Sequence, residues 1–530
     1  MGHFLEKANR NYIILERNQR VGSFFEIYPR HRKLISINKR HTGKTNKEFN
    51  LRHDWNSLIS DNEQLLFTKY SKAYFPHADE MLRYLKDYHE KLDIKVQFGT
   101  EISNLTYRAT EIAYRFSMQD QKSNKYLCKT VLVATGLSVP IKPNVVGADL
   151  VENYEDVSTN PEDFEGQSVL ILGKGNSAFE VAASIYGYTN YLHLVSPGRV
   201  RLSWNTHYVG DVRGVNNEVL DSYMLKSLDG ILESELMHRI YYKRGSDGKI
   251  YIRGHPRDVH KFPDISYDYQ STTFPGMYFL GSLTHSIDFR RSAGGFIHGF
   301  RYTARALHRI LEWKNHQIPW PSTEHPIKNI LSHFLKRANE ASGIYQMFKN
   351  LADIAVVDKK AESFTYLEEF PVNLLPQLTN QTGHLFEPDT HAILVMVLEY
   401  GKNWSNAGQD HFYVNRGTPC VYRAHESKFL HPVVYYYSYL PSEDQMMRRA
   451  FEDTLPAPNA THHVLEDFTT SFDGPRSHLD PLRLFLERHL RVDLRMGSSE
   501  ECWKEWKEKK TVAPHCVHIL HDVGGPSDCL

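Results

Sequence analysis

The sequence predicts an α/β fold with two dinucleotide-binding units of the Rossmann type, the first incomplete at its N-terminus, and a mixed α+β region beyond them. Three observations predict it. Gly173-Lys-Gly175-Asn-Ser-Ala178 follows an apolar strand and opens a helix, the context in which a Gly-x-Gly-x-x-Gly/Ala run binds a dinucleotide. Glu16 closes the short apolar run Tyr12-Ile-Ile-Leu, where an acidic residue of such a unit holds a ribose. Pro319-Trp-Pro321 and Pro326 punctuate the chain as a linker, and tyrosine-rich strands follow.

Composition narrows the class. At 530 residues the chain is long enough for three to four domains, or two large ones. With 41% apolar and 24% charged residues it is not a disordered chain. Lys+Arg and Asp+Glu are both 63, so no charge excess points to nucleic acid or an anionic membrane. The longest apolar runs, such as 392–398, are too short to span a bilayer, and the N-terminus lacks the apolar stretch of a secretory signal. Five cysteines (Cys128, Cys420, Cys502, Cys516, Cys529) are too few to frame a fold of this size, and none forms a Cys-x-x-Cys dithiol.

Taken in order, residues 2–8 read as the end of a helix and 12–16 as a short buried strand. Residues 81–91 carry Met81, Leu82, Leu85 and Tyr88 at helical spacing. Residues 94–98 and 111–118 read as strands, and 129–134 as a continuous buried strand. A second α/β unit follows, with strand 168–172, helix 179–185 and strand 191–195. Residues 276–311 read as strand, loop and long helix. Beyond the linker come a helix at 327–339, strands at 392–400 and 433–439, a helix at 481–490, and a charged stretch at 500–510 that reads as a solvated helix face. The domain boundaries that follow are 1–165 and 271–318 for the first nucleotide unit, 166–270 for the second, and 319–530 for the extension.

The chemistry of the second unit rests on its glycines. Gly173 permits the tight turn, Gly175 lets the backbone approach a pyrophosphate, and Ala178 allows close helix–strand packing. Asn176 and Ser177 begin the helix, whose first N–H groups and partial positive charge face phosphates. After strand 191–195 an NAD site would carry Asp or Glu, whereas this chain has Ser196, Arg199 and Arg201, which suits the 2′-phosphate of NADPH. The alternative is a glycine turn packing in a nucleotide-free unit.

The first unit carries Val131-Leu-Val-Ala-Thr135-Gly136, similar to the Ala-Thr-Gly strand end of two-dinucleotide flavoproteins, and Gly276-Met-Tyr-Phe-Leu-Gly281. Ser292-Ala-Gly294-Gly295 precedes a second candidate helix N-terminus, which would face a flavin's pyrimidine or phosphates. The alternative for Gly294-Gly295 is a loop joining strand to helix. The glycine fingerprint paired with Glu16 belongs about 20 residues upstream of it, before Met1, so the first strand and phosphate loop are expected to be absent.

The order Glu16, Asn38, Asp54-Trp55, Tyr74-Phe-Pro76, Ala134-Thr-Gly136, Gly173-x-Gly175-Asn-Ser and Gly281 resembles the flavin-containing monooxygenase group of flavoproteins. Stretches such as 28–39, 49–56, 172–180 and 294–302 are more similar still to its endoplasmic-reticulum branch, the FAD-dependent oxidoreductase domain-containing flavoproteins associated with degradation. That resemblance implies FAD and NADPH as cofactors and a place in the endoplasmic-reticulum lumen. It further implies a role in degrading misfolded glycoproteins, with a degradation lectin, a ubiquitin-ligase adaptor and a lumenal dithiol reductase as partners. It also places Asn38 beside the flavin, able to hydrogen-bond a flavin–oxygen adduct; a loop asparagine bonding its own backbone is the alternative. Sequons at Asn104, Asn380, Asn403 and Asn459, no more than composition yields by chance, then fit a lumenal glycoprotein. Three features depart from the family. The secretory signal is missing, the C-terminal Ser-Asp-Cys529-Leu530 is not a Lys-Asp-Glu-Leu-type retention signal, and no second Ala-Thr-Gly-like strand lies between Tyr251 and Gly276, as after a deletion.

Other chemistries fare worse. The 29 histidines, including His31, His41, His77, His285, His298 and the pair His462-His463, have no ligand spacing for a metal. Ser177 lacks the Gly-x-Ser-x-Gly elbow of a hydrolase nucleophile. Two readings remain. One is a flavoprotein oxidoreductase that draws a hydride from NADPH. The other is a flavoprotein-fold scaffold that offers aromatics such as Tyr435-Tyr-Tyr437 to quality-control partners, although core packing is the blander account of those tyrosines. If Arg199 and Arg201 meet a 2′-phosphate, replacing both with Ala weakens NADPH binding about tenfold or more while NADH binding hardly changes; equal loss in the two titrations refutes the assignment.

Overall fold

The computed structural model describes residues 1–110, 114–137, 150–196, 200, 212–216, 218, 262–289, 291–360, 362–402, 416–450, 452–469 and 471–495. The chain opens with helix α1 (Gly2–Lys7) and strand β1 (Ile14–Leu15). Helix α2 (Ala78–Lys91) begins at a capping box, in which the His77 ring accepts the Asp79 N–H and the Glu80 carboxylate accepts the His77 N–H. Ala78, Met81, Tyr84 and Tyr88 form its buried stripe and close over Leu34, Leu65 and Phe67. Strand β2 (Val96–Gln97) pairs with β1 in parallel. Strands β3 (Ile102–Tyr107), β4 (Phe116–Asp120) and β5 (Lys125–Cys128) make an antiparallel meander, with β4 beginning later than the strand expected at 111–118.

Strand β6 (Val131–Val133) leads to the second unit, in which β7 (Ser168–Leu172), helix α3 (Asn176–Ile185) and β8 (Tyr191–Val195) follow in order. β7 and β8 run parallel. The chain then returns through β9 (Met277–Phe279), which pairs in parallel with β6, and enters the long helix α4 (Ile297–His316). Among the described residues, no strand joins the β1–β2 pair to the β6–β9 pair. This overturns one expectation. Residues 12–16 and 129–134 were to be buried strands, yet Ile13 is 51% exposed and all of β6 is half-buried. A parallel strand is buried on both faces only when neighbours and helices cover it on every side, and each of these strands has a single neighbour among the described residues.

The described residues beyond 319 are α+β, as expected. Six antiparallel strands run in the order β10-β12-β11-β13-β14-β15: β10 (Ser322–Pro326), β11 (Leu351–Asp358), β12 (Ser363–Pro371), β13 (His391–Glu399), β14 (His431–Tyr437) and β15 (Ala460–His463). Helices α5 (Ile330–Glu340) and α6 (Asp480–Leu490) each bury an apolar stripe in the core that this sheet anchors. The stretch 319–326, expected to be a linker, is instead part of this core. Trp320 is 1% exposed and donates to the Glu368 carbonyl, and β10 pairs with β12 from Ser322↔Leu367 to Pro326↔Ser363. Its prolines are tolerated because β10 is an edge strand. Tyr435 and Tyr437 are buried, so they pack the core rather than a partner's surface. The charged stretch 500–510 lies outside the described residues.

Four histidines sit in this region uncharged. Burial pushes His431 and His462 down to about 4, and His333 and His463 to about 3. An unfolded chain binds those protons near pH 6.5, so the unfolded state is the more protonated below that value. Their contribution is complete above pH 6.5 and is lost as the pH falls towards 4 and 3, by up to about 2 kcal/mol for one histidine at pH 5. The urea midpoint therefore declines from pH 6.5 to 4.5, and His462→Leu removes about one proton from that slope; a flat profile contradicts the burial.

Candidate functional site

The second unit forms its turn as the fingerprint requires. Gly173 has φ 156°, and a Cβ there would stand 3.3 Å from the Ala178 Cβ, so two small residues set the strand–helix distance. Gly175 is the N-cap of α3, and the helix starts at Asn176 with Ser177 exposed. The Asn176 side chain is engaged: its Oδ1 accepts the Arg213 N–H at 2.8 Å and the Asn216 amide at 3.0 Å. From α3, Glu180 takes the Tyr154 hydroxyl at 2.5 Å and the His31 N–H at 3.3 Å, tying the unit to the N-terminal segment. Ser196, after β8, is buried. Arg199 and Arg201 lie outside the described residues.

In the first unit, the β6–β9 pairing aligns Val133 with Phe279, and the Leu280 N–H reaches the Val133 carbonyl at 2.9 Å. Two turns therefore emerge side by side. Gly136 (φ 66°) and Gly281 (φ 64°) both need the left-handed conformation, and a Cβ on Gly136 would lie 3.8 Å from the Ser282 hydroxyl. Thr135, beside Gly136, is exposed. Glu16 follows β1, and its carboxylate accepts the Asn18 N–H at 2.8 Å.

Asn38 is 2% exposed. Its amide donates to the carbonyls of Ser71 at 2.9 Å and Ala73 at 3.1 Å, more than thirty residues away in sequence rather than on its own loop. Its Oδ1 is buried with no partner among the described residues. The backbone of Asn38 bridges to Asp54, whose carboxylate gathers the N–H groups of Asn56 and Ser57. A cleft of about 290 Å³ opens at this bridge, lined in part by Lys39, Arg40, Lys47, Asn50 and Asp54.

Gly294 and Gly295 precede α4 in a tight turn folded over Asp288 and His285. The Gly294 N–H donates to Asp288 Oδ2 at 2.7 Å, and a Cβ on Gly294 would overlap that carboxylate. Sequence reasoning missed what holds this turn. The Ala293 N–H reaches the Gln346 carbonyl at 3.2 Å, and the Asn350 amide reaches the Ser292 hydroxyl at 2.7 Å, so residues beyond 319 support it. No local signal announces such contacts.

Of the sequons, Asn104, Asn380 and Asn459 are exposed, and Asn403 lies outside the described residues. Cys128 is a free thiol and Cys420 is disulfide-bonded. Among the described residues, no group of three His, Cys, Asp or Glu side chains is placed to hold a metal, and no helix is long and apolar enough to cross a membrane.

A family profile described as pyridine nucleotide-disulphide oxidoreductase matches residues 1–245. The FAD-dependent oxidoreductase domain-containing protein 2 of Mus musculus is 46% identical over 574 aligned positions, which cover 97% of this chain and 86% of the mouse protein. The chain belongs to that family. Its Danio rerio member is 42% identical over 579 positions, covering 95% of this chain and 83% of the fish protein. Because 574 positions exceed the 530 residues here, the mouse member carries residues within the aligned span that have no counterpart in this chain. Among solved structures, a flavin-containing monooxygenase from Stenotrophomonas maltophilia is 16% identical, with a TM-score of 0.39 over 59% of this chain and 94% of its own. Family membership makes the chain a flavoprotein-type oxidoreductase with the Rossmann-type fold that the motifs predict.

The Asn38 amide is specified by its two carbonyl partners. Asn38→Asp sets a carboxylate oxygen against them in a buried site, and the expected cost is about 3 kcal/mol in chemical denaturation. A loss below about 1 kcal/mol contradicts that geometry.

Proposed function

We propose that the chain is an FAD-dependent oxidoreductase that draws its electrons from NADPH in the endoplasmic-reticulum lumen and serves the degradation of misfolded glycoproteins. The observation that carries the reading is the presence of two parallel strand–turn units in one chain, each turning on small residues at its strand ends: Gly136 beside Gly281, and Gly173 against Ala178. One suits the flavin nucleotide and the other the nicotinamide nucleotide. When bound, FAD supplies the two-electron acceptor for a hydride from NADPH.

The residues present fit the ends of FAD. The buried, unpartnered Oδ1 of Asn38 is an acceptor without a donor, which a bound polar ring would satisfy. Glu16, just after β1, is proposed for a ribose, and the turns at Gly136 and Gly281-Ser282 leave the backbone open to close approach. The start of α4 offers helix N–H groups to the opposite end. Gly173, Gly175 and the start of α3 serve the pyrophosphate of NADPH, with Arg199 and Arg201 proposed for its 2′-phosphate. The lumenal setting is supported by the disulfide at Cys420, a bond that persists in oxidising compartments, and by three exposed sequons. A degradation lectin, a ubiquitin-ligase adaptor and a lumenal dithiol reductase are the proposed partners. The last would carry electrons to client disulfides, because the chain has no Cys-x-x-Cys of its own.

FAD titrated into the purified chain should bind, with its colour bleached by NADPH faster than by NADH. A chain that takes up no flavin yet captures quality-control proteins would instead be a scaffold.

A further inference from the structure

His285 is 2% exposed and sits in a box of aromatic rings formed by Phe262, Phe289 and Phe296. Its Nδ1 lies 2.7 Å from Asp288 Oδ1. Asp288 is also 2% exposed, and its other oxygen accepts the Gly294 N–H and the Ser292 hydroxyl. A carboxylate that only accepts makes Nδ1 the protonated nitrogen, so Nε2 presents a lone pair. That Nε2 is buried and has no partner among the described residues. The hydroxyl of Ser286, the next residue, is likewise buried without a partner. Leaving one such atom unpaired costs about 1–3 kcal/mol, so two together on one segment call for a ligand that completes them.

The place and the polarity identify that ligand's edge. The imidazole lies flat against the turn before α4: a Cβ on Gly295 would stand 2.9 Å from its Cδ2 and 3.2 Å from its Nε2. The same segment begins at Gly281, beside the Gly136 turn. An acceptor at Nε2, a hydroxyl donor at Ser286 and the helix N–H groups of α4 together complement a group with one N–H flanked by carbonyls. That pattern is an imide, and the pyrimidine ring of a flavin carries one.

We propose that His285, held in one tautomer by Asp288, accepts the imide N–H of bound FAD, and that Ser286 donates to an adjoining carbonyl. This rests on the flavin reading above and adds to it the residues that recognise the ring rather than the nucleotide. The dyad makes the site selective for an intact imide. It acts as a binding and positioning pair, with no proton transfer required of it.

The test uses the full chain, titrated with FAD and with an FAD analogue methylated at the imide nitrogen. The wild-type chain should prefer FAD by about tenfold or more, because a buried acceptor rejects a ligand that lacks its donor. His285→Asn retains an amide near the Nδ1 position for Asp288 and removes Nε2, and should bind the two flavins within about twofold of each other. His285→Gln retains a polar atom near the Nε2 position and should keep part of the preference. Wild-type chain that binds both flavins alike, or a His285→Asn variant that keeps the full preference, overturns the proposal. Absence of flavin binding in a chain that still binds NADPH overturns the flavin reading itself, and this inference with it.

Discussion

Two buried guanidinium groups hold the site together. Arg301, on α4 and 3% exposed, donates to the carbonyls of Leu51, Asp54 and Ser57. Arg52, in the same turn, donates the other way, to the carbonyls of Ala338 and Ala341 at the end of α5, and lies over the Tyr345 ring. Burial brings the Arg52 side chain down to about 10, still charged at neutral pH. The 51–57 turn has no regular partner strand, and without these donors three of its carbonyls would be buried unpaired, each at a cost of about 1–3 kcal/mol. Because Asp54 bridges to Asn38, a turn held by α4 and α5 sets where Asn38 presents its free oxygen.

The C-terminal region thereby becomes a support of the candidate site rather than an appendage. Arg337 of α5 reaches Asp353 of β11 and Glu48 of the N-terminal segment. Asp353 sits at a register shift in β11, where its carboxylate accepts the Glu369 N–H and the Tyr366 hydroxyl. Burying such a charge is costly unless every lone pair is used, and here each oxygen has a donor. Gln346 and Asn350, immediately before β11, complete the link by holding Ala293 and Ser292 ahead of the Gly294-Gly295 turn. Polar contacts from the segment before β11 thus reach the turn at the start of α4.

The two nucleotide units differ in how their geometry is secured. In the second, the distance between β7 and α3 is set locally by Gly173 and Ala178, five positions apart, so the motif in the sequence and the turn in space are the same object. In the first, Gly136 and Gly281 are brought together by pairing between strands 146 residues apart in the chain, from Val131 to Met277. The local unit can form its turn without the rest of the fold, whereas the distant pair needs the sheet.

What the sequence by itself determined was local. The glycine fingerprint, the helix read at 81–91, which in the structure starts earlier at Ala78, and the long helix after Gly295 were all legible, because each is encoded by spacing within a few turns of chain. Strand β11 was missed because a strand buried on both faces shows no alternation to read, and the prolines around Trp320 suggested a linker where an edge strand runs. Only the tertiary structure decided that Asn38 bonds Ser71 and Ala73, and that residues 346–350 support the Gly294-Gly295 turn. Hydrogen bonds between residues far apart in the chain leave no periodic trace in the sequence, since they depend on where packing brings each donor and acceptor rather than on how the residues are spaced.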